Sequence, residues 1–315
     1  MIFKRQAEHF MQSATQRRRN PVRPQTAKIY QSYLDAHILP EFAYISTHLI
    51  ENGCMRDFIA ALSKKNLSAS TINQIFNVAA AVIASETDSN GNEMNPRKWN
   101  HDFIDLPIVS KTDTRAEIVT PEQIEAAIAE ADPTLRSLIV LLAATGLRIG
   151  EALAIQASYT KYQQDTCQRI SYWSPETATI HVKSTLVRGK IMPQPKTDAG
   201  NREIDLHPDI NEYLKVANLP DKGFLFQNSV GNHARVETLY DQLEALGLDT
   251  GFHAFRRFRA THLESQGVPR SLTAYWLGHN SGGTVTDRYI KIDRDLAIRK
   301  SWCEKAGLGF ELSKS

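Results

Sequence analysis

"ATIHVKSTLVRGKIMPQPKTDAGNREIDL" (residues 178–206) is unlike the chain on either side of it. It is rich in β-branched residues and alternates polar with apolar in places. Turn residues punctuate it at Arg188-Gly189 and again at Asp198-Ala199-Gly200-Asn201. Short alternating runs between such turns read as strands. The stretch therefore predicts a small antiparallel sheet of three strands. Around it, apolar residues recur at helical spacing instead. The fold class that follows is mainly α. An all-helical N-terminal domain precedes a mostly helical domain into which the small antiparallel β-sheet is inserted.

Working outward toward the N-terminus, "ASYTKYQQDTCQRISYWSPE" (157–176) reads as an insertion ahead of the sheet. Before it lies an apolar helix, "LRSLIVLLAATG" (135–146), closed by Gly146, a residue suited to ending a helix. A further helix begins at Thr120, with Pro121 in the first helical position and Gln123 completing a capping box. "DLPIVSKTDTRAE" (105–117) has no period and reads as a linker. Three helical segments precede it. Residues 26–42 carry Ile29, Tyr33 and Leu34; 55–65 carry Phe58, Ile59 and Leu62; 70–85 carry Ile72, Ile75, Phe76, Ala79 and Ile83. Ser68 or Ser70 is placed to cap the last of these. The divisions are a basic N-terminal arm or short helix over 1–20, a helical domain over 21–105, a linker over 106–118, and a second domain over 119–315. That domain ends in a helix (293–306) whose Leu296, Ile298, Trp302 and Ala306 share one side.

Composition narrows the class. The chain has 315 residues, 42% of them hydrophobic, which suits two globular domains with real cores. No run approaches about 18 uninterrupted apolar residues, so no membrane span is expected. The opening "MIFKRQAEHF" does not resemble a signal peptide. Cys54, Cys167 and Cys303 are far apart and lack metal-ligand spacing, and they read as reduced thiols of a cytoplasmic protein. The net charge is only +2, but basic residues cluster at Arg17-Arg18-Arg19 and at Arg256-Arg257-Arg259. Clusters of that kind can build a basic surface on a nearly neutral protein.

Four stretches could carry chemistry. In "ATGLRIGEAL" (144–153), Arg148 sits between a glycine-ended apolar helix and a second apolar segment. A charge there needs a partner; Glu151, three residues on, is one candidate and a phosphate is another. Lys196 stands where a strand enters a tight turn, a place where lysines commonly serve only solubility. "GFHAFRRFRATHL" (251–263) holds His253, Arg256, Arg257 and Arg259. On a helix, Phe255, Phe258 and His262 share its core side, while Arg256 and Arg257 both lie within about 60° of His253, so periodicity does not choose between them. "WLGHNSGGTVTDRYIK" (276–291) places His279 ten positions before Tyr289, with Gly282 and Gly283 between them.

Taken in order, Arg148, Lys196, His253-x-x-Arg256, Leu277-Gly278-His279 and Tyr289 resemble the tyrosine recombinase (phage integrase) family over about residues 113–295. The helical segment before them resembles, more loosely, the family's DNA-gripping N-terminal domain. The resemblance implies cleavage and rejoining of DNA strands through a covalent 3′-phosphotyrosine intermediate. Tyr289 would be the nucleophile. Arg148 and Arg256 would hold the phosphate as planar forks, His279 would add a hydrogen bond, and Lys196 would protonate the leaving oxygen. His253 would position the phosphate or assist proton removal from Tyr289, and Glu151 would orient Arg148 or the histidines. No cofactor and no metal are implied.

The implied partner is double-stranded DNA, with Arg17, Arg18, Arg19, Lys111, Arg115, Arg257 and Arg259 as backbone contacts. The C-terminal helix (293–306) suggests a homo-oligomer, a tetramer on paired sites. The implied setting is a bacterial or phage-encoded protein, cytoplasmic and nucleoid-associated, serving a mobile element. Two other activities fit parts of the pattern: a type IB topoisomerase-like enzyme, and a catalytically silent DNA-binding regulator. The N-terminal helical domain and the tail favour the recombinase over the first, and the full set of six residues argues against the second.

Overall fold

The computed structural model describes residues 1–109, 118–157, 170–193, 201–279 and 294–312. They divide into two compact units, Met1–Thr114 and Arg115–Ser315.

The first unit is helical: α1 (Phe3–Gln16), α2 (Pro24–Tyr33), α3 (Leu39–Phe42), α4 (Asn52–Ser63), α5 (Ala69–Ala84) and α6 (His101–Ile104). A π-helical turn, Leu34–Ile38, joins α2 to α3, and the Leu39 amide bonds the Leu34 carbonyl five residues back. Pro40 has no N–H to continue the ordinary ladder, which is a local reason for the wider turn. Leu34, Ile38, Phe42, Met55, Phe58, Ile59, Ile75 and Phe76 form the core. Helical spacing pointed to Ile29 as part of that face, yet Ile29 is 40% exposed; the buried ridge begins one turn later. The basic start, open between an arm and a short helix, holds the helix. Over Phe3–Gln16 it is a helix whose Phe3, Gln6, Ala7 and Ala14 are buried. Phe3 and Ala7 stand one turn apart and share a face, which the intervening charges disguise. Ser68 caps α5 by accepting from the Thr71 amide at 3.1 Å.

The second unit holds α7 (Pro121–Glu130), α8 (Pro133–Thr145), α9 (Ile149–Ala152), α10 (Pro208–Val216), α11 (Val236–Ala245), α12 (His253–Ser265), α13 (Arg270–Leu277) and α14 (Leu296–Ala306). The capping box at α7 is present: Thr120 Oγ1 accepts from the Gln123 amide at 3.3 Å, and Gln123 Oε1 accepts from the Thr120 amide at 2.9 Å. Apolar nearly all round, α8 packs against α7 on one flank and α12 on the other.

The sheet differs from the antiparallel three-stranded expectation. Residues 178–206 supply β3 (Thr179–Val182), β4 (Ser184–Val187), β5 (Lys190–Pro193) and β6 (Arg202–Asp205), but only β3 and β6 join the main sheet. Two earlier strands complete it: β1 (Ile155–Gln156), parallel to β2 (Ser171–Ser174), in the order β1-β2-β3-β6. Part of the apparent insertion is therefore a strand. The Ser171 hydroxyl accepts from the amides of Lys183 and Ser184, both at 2.9 Å. Those amides are satisfied there, and the chain leaves the sheet. It then forms the β4–β5 hairpin, whose turn is Arg188-Gly189, both with positive φ (48° and 73°). Two-residue hairpins favour such a turn.

The final helix packs on its own unit. Its buried side is Arg299, Cys303 and Ala306, while Leu296 and Ile298, expected on the apolar side, are 50% and 40% exposed. Arg299 donates through Nε to Asp205 Oδ2 at 2.9 Å and through Nη2 to Glu203 Oε2 at 2.6 Å. Those carboxylates on β6 choose the helix face that turns inward.

Candidate active site

Four chain segments converge at the C-terminal ends of α8 and α13. The first helix ends in Gly146 at φ 67°, where a Cβ would stand 2.7 Å from Leu277 Cδ2 and 3.4 Å from Arg259 Cβ. A glycine there satisfies both the left-handed backbone and the close approach of α12 and α13. Two residues on, Arg148 begins α9 in extended conformation. Its backbone amide donates to Glu151 Oε2 at 3.0 Å and its Nη1 to Oε1 at 2.9 Å. Of the two partners open to Arg148, Glu151 is thus engaged; yet the Arg148 side chain remains 44% exposed, against 1% for Glu151. The guanidinium is held from behind and presents its other edge outward.

Arg202, at the start of β6, grips the far side of the same carboxylate. Its Nη1 donates to Oε1 at 3.2 Å, its Nη2 to Oε2 at 2.8 Å, and its Nε to the Trp276 carbonyl at 2.7 Å. Burial pushes the Glu151 carboxyl up, but the charge and hydrogen bonds of Arg202, joined by those of Arg148, outweigh it and hold it down at about 2.

Arg256 is buried in α12. It donates through Nη1 to the Gly146 carbonyl at 2.8 Å and through Nη2 to the Leu277 carbonyl, with Nη2 also 2.8 Å from His279 Nε2. Two helix C-termini, each carrying partial negative charge, therefore surround it in place of a carboxylate. Desolvation, then the like charge of Arg148, lowers it to about 10, so it remains a cation at neutral pH. Arg257, the neighbour that periodicity could not separate from it, is only half-buried.

His253 opens α12 and His279 follows Gly278; both rings are exposed. Each is lowered from its usual range, first by partial desolvation and then by arginines: Arg257, Arg256 and Arg148 for His253, and Arg256, Arg148 and Arg202 for His279. Three guanidiniums thus meet one carboxylate, Glu151, among the described residues. The excess of positive charge beside an exposed arginine edge suits an anion.

Gly150 brings a further element close. A Cβ on it would stand 2.5 Å from the Leu186 carbonyl, so α9 lies directly on β4. Lys196 lies outside the described residues, as do Tyr289, Lys111 and Arg115.

Residues 117–295 match the phage integrase family.

The chain belongs to that family.

It is a DNA strand-cleaving, site-specific recombinase by that membership. Solved integrases share its fold. The Tn1549 transposon integrase, in complex with transposon right-end DNA, is 19% identical with a TM-score of 0.67, over 93% of this chain and 99% of that one. Lambda integrase, as a dimer bound to a COC′ core site, is 15% identical with a TM-score of 0.61, over 93% and 96%. A lambda integrase tetramer bound to a Holliday junction is 14% identical with a TM-score of 0.59, over 90% and 80%. No curated protein matches the sequence.

Within this integrase-family chain, Arg148, Glu151, His253, Arg256 and His279 come together. Arg17, Arg18 and Arg19 are exposed on the first unit, past the end of α1. Arg259 is a correction to the set of DNA contacts: it is 3% exposed and donates to the Gly307 carbonyl at 2.7 Å. One turn beyond Arg256, it faces the turn after α14 rather than solvent. Tyr275, the tyrosine just before His279, has its hydroxyl engaged by the Glu203 amide at 3.1 Å and by Arg299 Nη1 at 3.3 Å. Burial raises its pKa, which ill suits a nucleophile. Sequence reading missed Arg202. The available signal was its alternation with Ile204, which puts an arginine on the inward face of a strand. Among the described residues, no group of three or more His, Cys, Asp or Glu could hold a metal ion, and no helix is long and apolar enough to cross a membrane.

Proposed function

We propose that this cluster binds the scissile phosphodiester and that Tyr289 attacks it. The observation that carries the reading is Arg256, buried between two helix ends, beside His279 and near the outward edge of Arg148. The two arginines neutralise charge on the non-bridging oxygens, and His279 donates to one of them. The Tyr289 oxygen bonds to phosphorus, the bond from phosphorus to the 5′ oxygen breaks, and Lys196 supplies that oxygen's proton. His253 positions the phosphate or receives the tyrosine proton. The intermediate is a 3′-phosphotyrosine, and attack by a 5′ hydroxyl reverses the steps to rejoin the strand.

The helical first unit grips the duplex with Arg17, Arg18, Arg19 and Lys111 as phosphate contacts, and the second unit adds Arg115 and Arg257. Four protomers act on paired sites, as the lambda integrase tetramer on a Holliday junction suggests. Exposed Leu296 and Ile298 on α14 offer a neighbour an apolar surface.

The test is a nicked suicide duplex carrying the end sequence of the element that flanks the gene. Wild type should form a covalent, protease-sensitive adduct and Tyr289→Phe none. Absence of the adduct in wild type, or its persistence in Tyr289→Phe, defeats the reading.

A further inference from the structure

We propose that Arg202 is a positioning residue for strand cleavage, fixing Glu151 and through it Arg148, and tying both to the helix end that precedes His279. The inference rests on the cleavage reading above. All three edges of the Arg202 guanidinium are engaged: Nε by the Trp276 carbonyl at 2.7 Å, Nη1 and Nη2 by the two Glu151 oxygens at 3.2 and 2.8 Å. A planar fork bonded to both carboxylate oxygens sets the plane of that carboxylate. Glu151 then has one orientation in which to receive the Arg148 amide and Nη1. The same guanidinium holds Trp276, two residues before Gly278 and three before His279.

Arg202 therefore joins three separate parts of the chain: β6, the Arg148 turn and the end of α13. With its side chain and that of Glu151 each 1% exposed, solvent cannot replace the pairing. Arg202 does not touch the anion-facing side. It sets where the groups that do so stand.

A lysine would keep the charge but not the fork. A methionine would take two hydrogen-bond donors from the buried Glu151 carboxylate. Among the described residues, the charged groups around Glu151 include Arg148 on its own turn, Arg202 from β6 and Arg256 from α12. Removing Arg202 takes away the largest contribution that holds the carboxyl down against burial, which pushes it up. It would then take a proton in mild acid, where wild type stays ionised, and release Arg148.

The experiment uses the full chain and the nicked suicide duplex in single-turnover cleavage. With duplex affinity unchanged, Arg202→Met and Arg202→Lys should each cleave on the order of 100-fold more slowly, the scale of a displaced catalytic group. The Arg202→Met rate, divided by that of wild type, should fall further as pH is lowered from about 8 to 5. Adding Glu151→Gln to Arg202→Met should remove that extra pH dependence. A brace that only stabilised the fold would slow both variants without a pH-dependent ratio. Should Arg202→Met not fold, Arg202→Lys decides through its rate. A folded Arg202→Lys cleaving at the wild-type rate, or a flat Arg202→Met ratio, overturns the proposal while the wild-type adduct still upholds the site. Loss of the wild-type adduct overturns both.

Discussion

Arg256 Nη2 lies 2.8 Å from His279 Nε2. An arginine has only donors, so Nε2 must accept, and the ring is neutral with its proton on Nδ1. His279 is thereby left with one N–H to offer outward, and Arg256 is what selects it. Arg256→Lys removes that selection, because a lysine cannot serve two carbonyls and an imidazole in one plane. Single-turnover cleavage should fall on the order of 100-fold or more. Unfolding in urea should show a loss of about 1–3 kcal/mol, since the Gly146 and Leu277 carbonyls lose a buried donor. Full activity in the lysine variant would show that the plane of the guanidinium is irrelevant.

The histidines also predict a proton balance. His253 and His279 are both lowered from 6.5 in the free protein, by desolvation and by surrounding arginines. A bound phosphate adds negative charge and opposes the second cause, so the His253 pKa rises on binding, while His279, whose Nε2 accepts from Arg256, stays neutral. Where the bound protein holds more protons than the free one, affinity grows as pH falls, here in the window at and below 6.5. Titration calorimetry of the duplex in buffers of different ionisation enthalpy should report proton uptake near pH 6, a value set by the ordinary histidine range of about 6.5. His253→Gln should reduce the uptake. Proton release would contradict the arrangement.

Gly146 is a separate constraint, on shape. Its φ of 67° and the 2.7 Å approach to Leu277 Cδ2 both exclude a side chain. Leu277 is 2% exposed and packed, so it has little room to yield. Gly146→Ala should cost about 1–2 kcal/mol for the backbone alone, with the clash adding to it. Its carbonyl also holds Arg256, so cleavage should fall together with stability. A chemical melt and a cleavage assay on one preparation check this, and an alanine variant as stable as wild type would refute it.

How much of this was readable in the sequence depends on distance along the chain. The capping box at Thr120 and Gln123 was legible because all its atoms lie within four residues. The glycine ending α8 was legible for the same reason. The order of the chemistry-bearing residues was legible only as a family resemblance. Strands β1 and β2 were not legible: the residues Ile155–Gln156 and Ser171–Ser174 are too few to show a period, and pairing with each other and with β3 makes them strands. The choice between Arg256 and Arg257 was beyond helical periodicity. It is made by two carbonyls, at Gly146 and Leu277, that lie 110 positions before and 21 after Arg256. Arg259 misled because three basic residues in a row of four look like one charged face. Burial of one of them depends on a turn near the far end of the chain.

Arg257 and Arg259 give a discriminating pair. Arg259 donates to the Gly307 carbonyl at 2.7 Å and to Leu308 at 3.4 Å, and desolvation lowers it to about 10, still a cation at neutral pH. It is inaccessible to a phosphate. Arg259→Met should therefore destabilise the fold by about 1–3 kcal/mol by leaving buried carbonyls unpaired. It should leave the salt dependence of duplex binding unchanged. Arg257 is half-buried and next to the cluster, where a phosphate can reach it. Arg257→Ala should lower the slope of log affinity against log salt by about 0.9, the share of one phosphate contact on duplex DNA. Binding titrations at four salt concentrations, beside melts of both variants, separate the two roles. A reduced slope in Arg259→Met would mean that the C-terminal turn opens on DNA and frees the arginine.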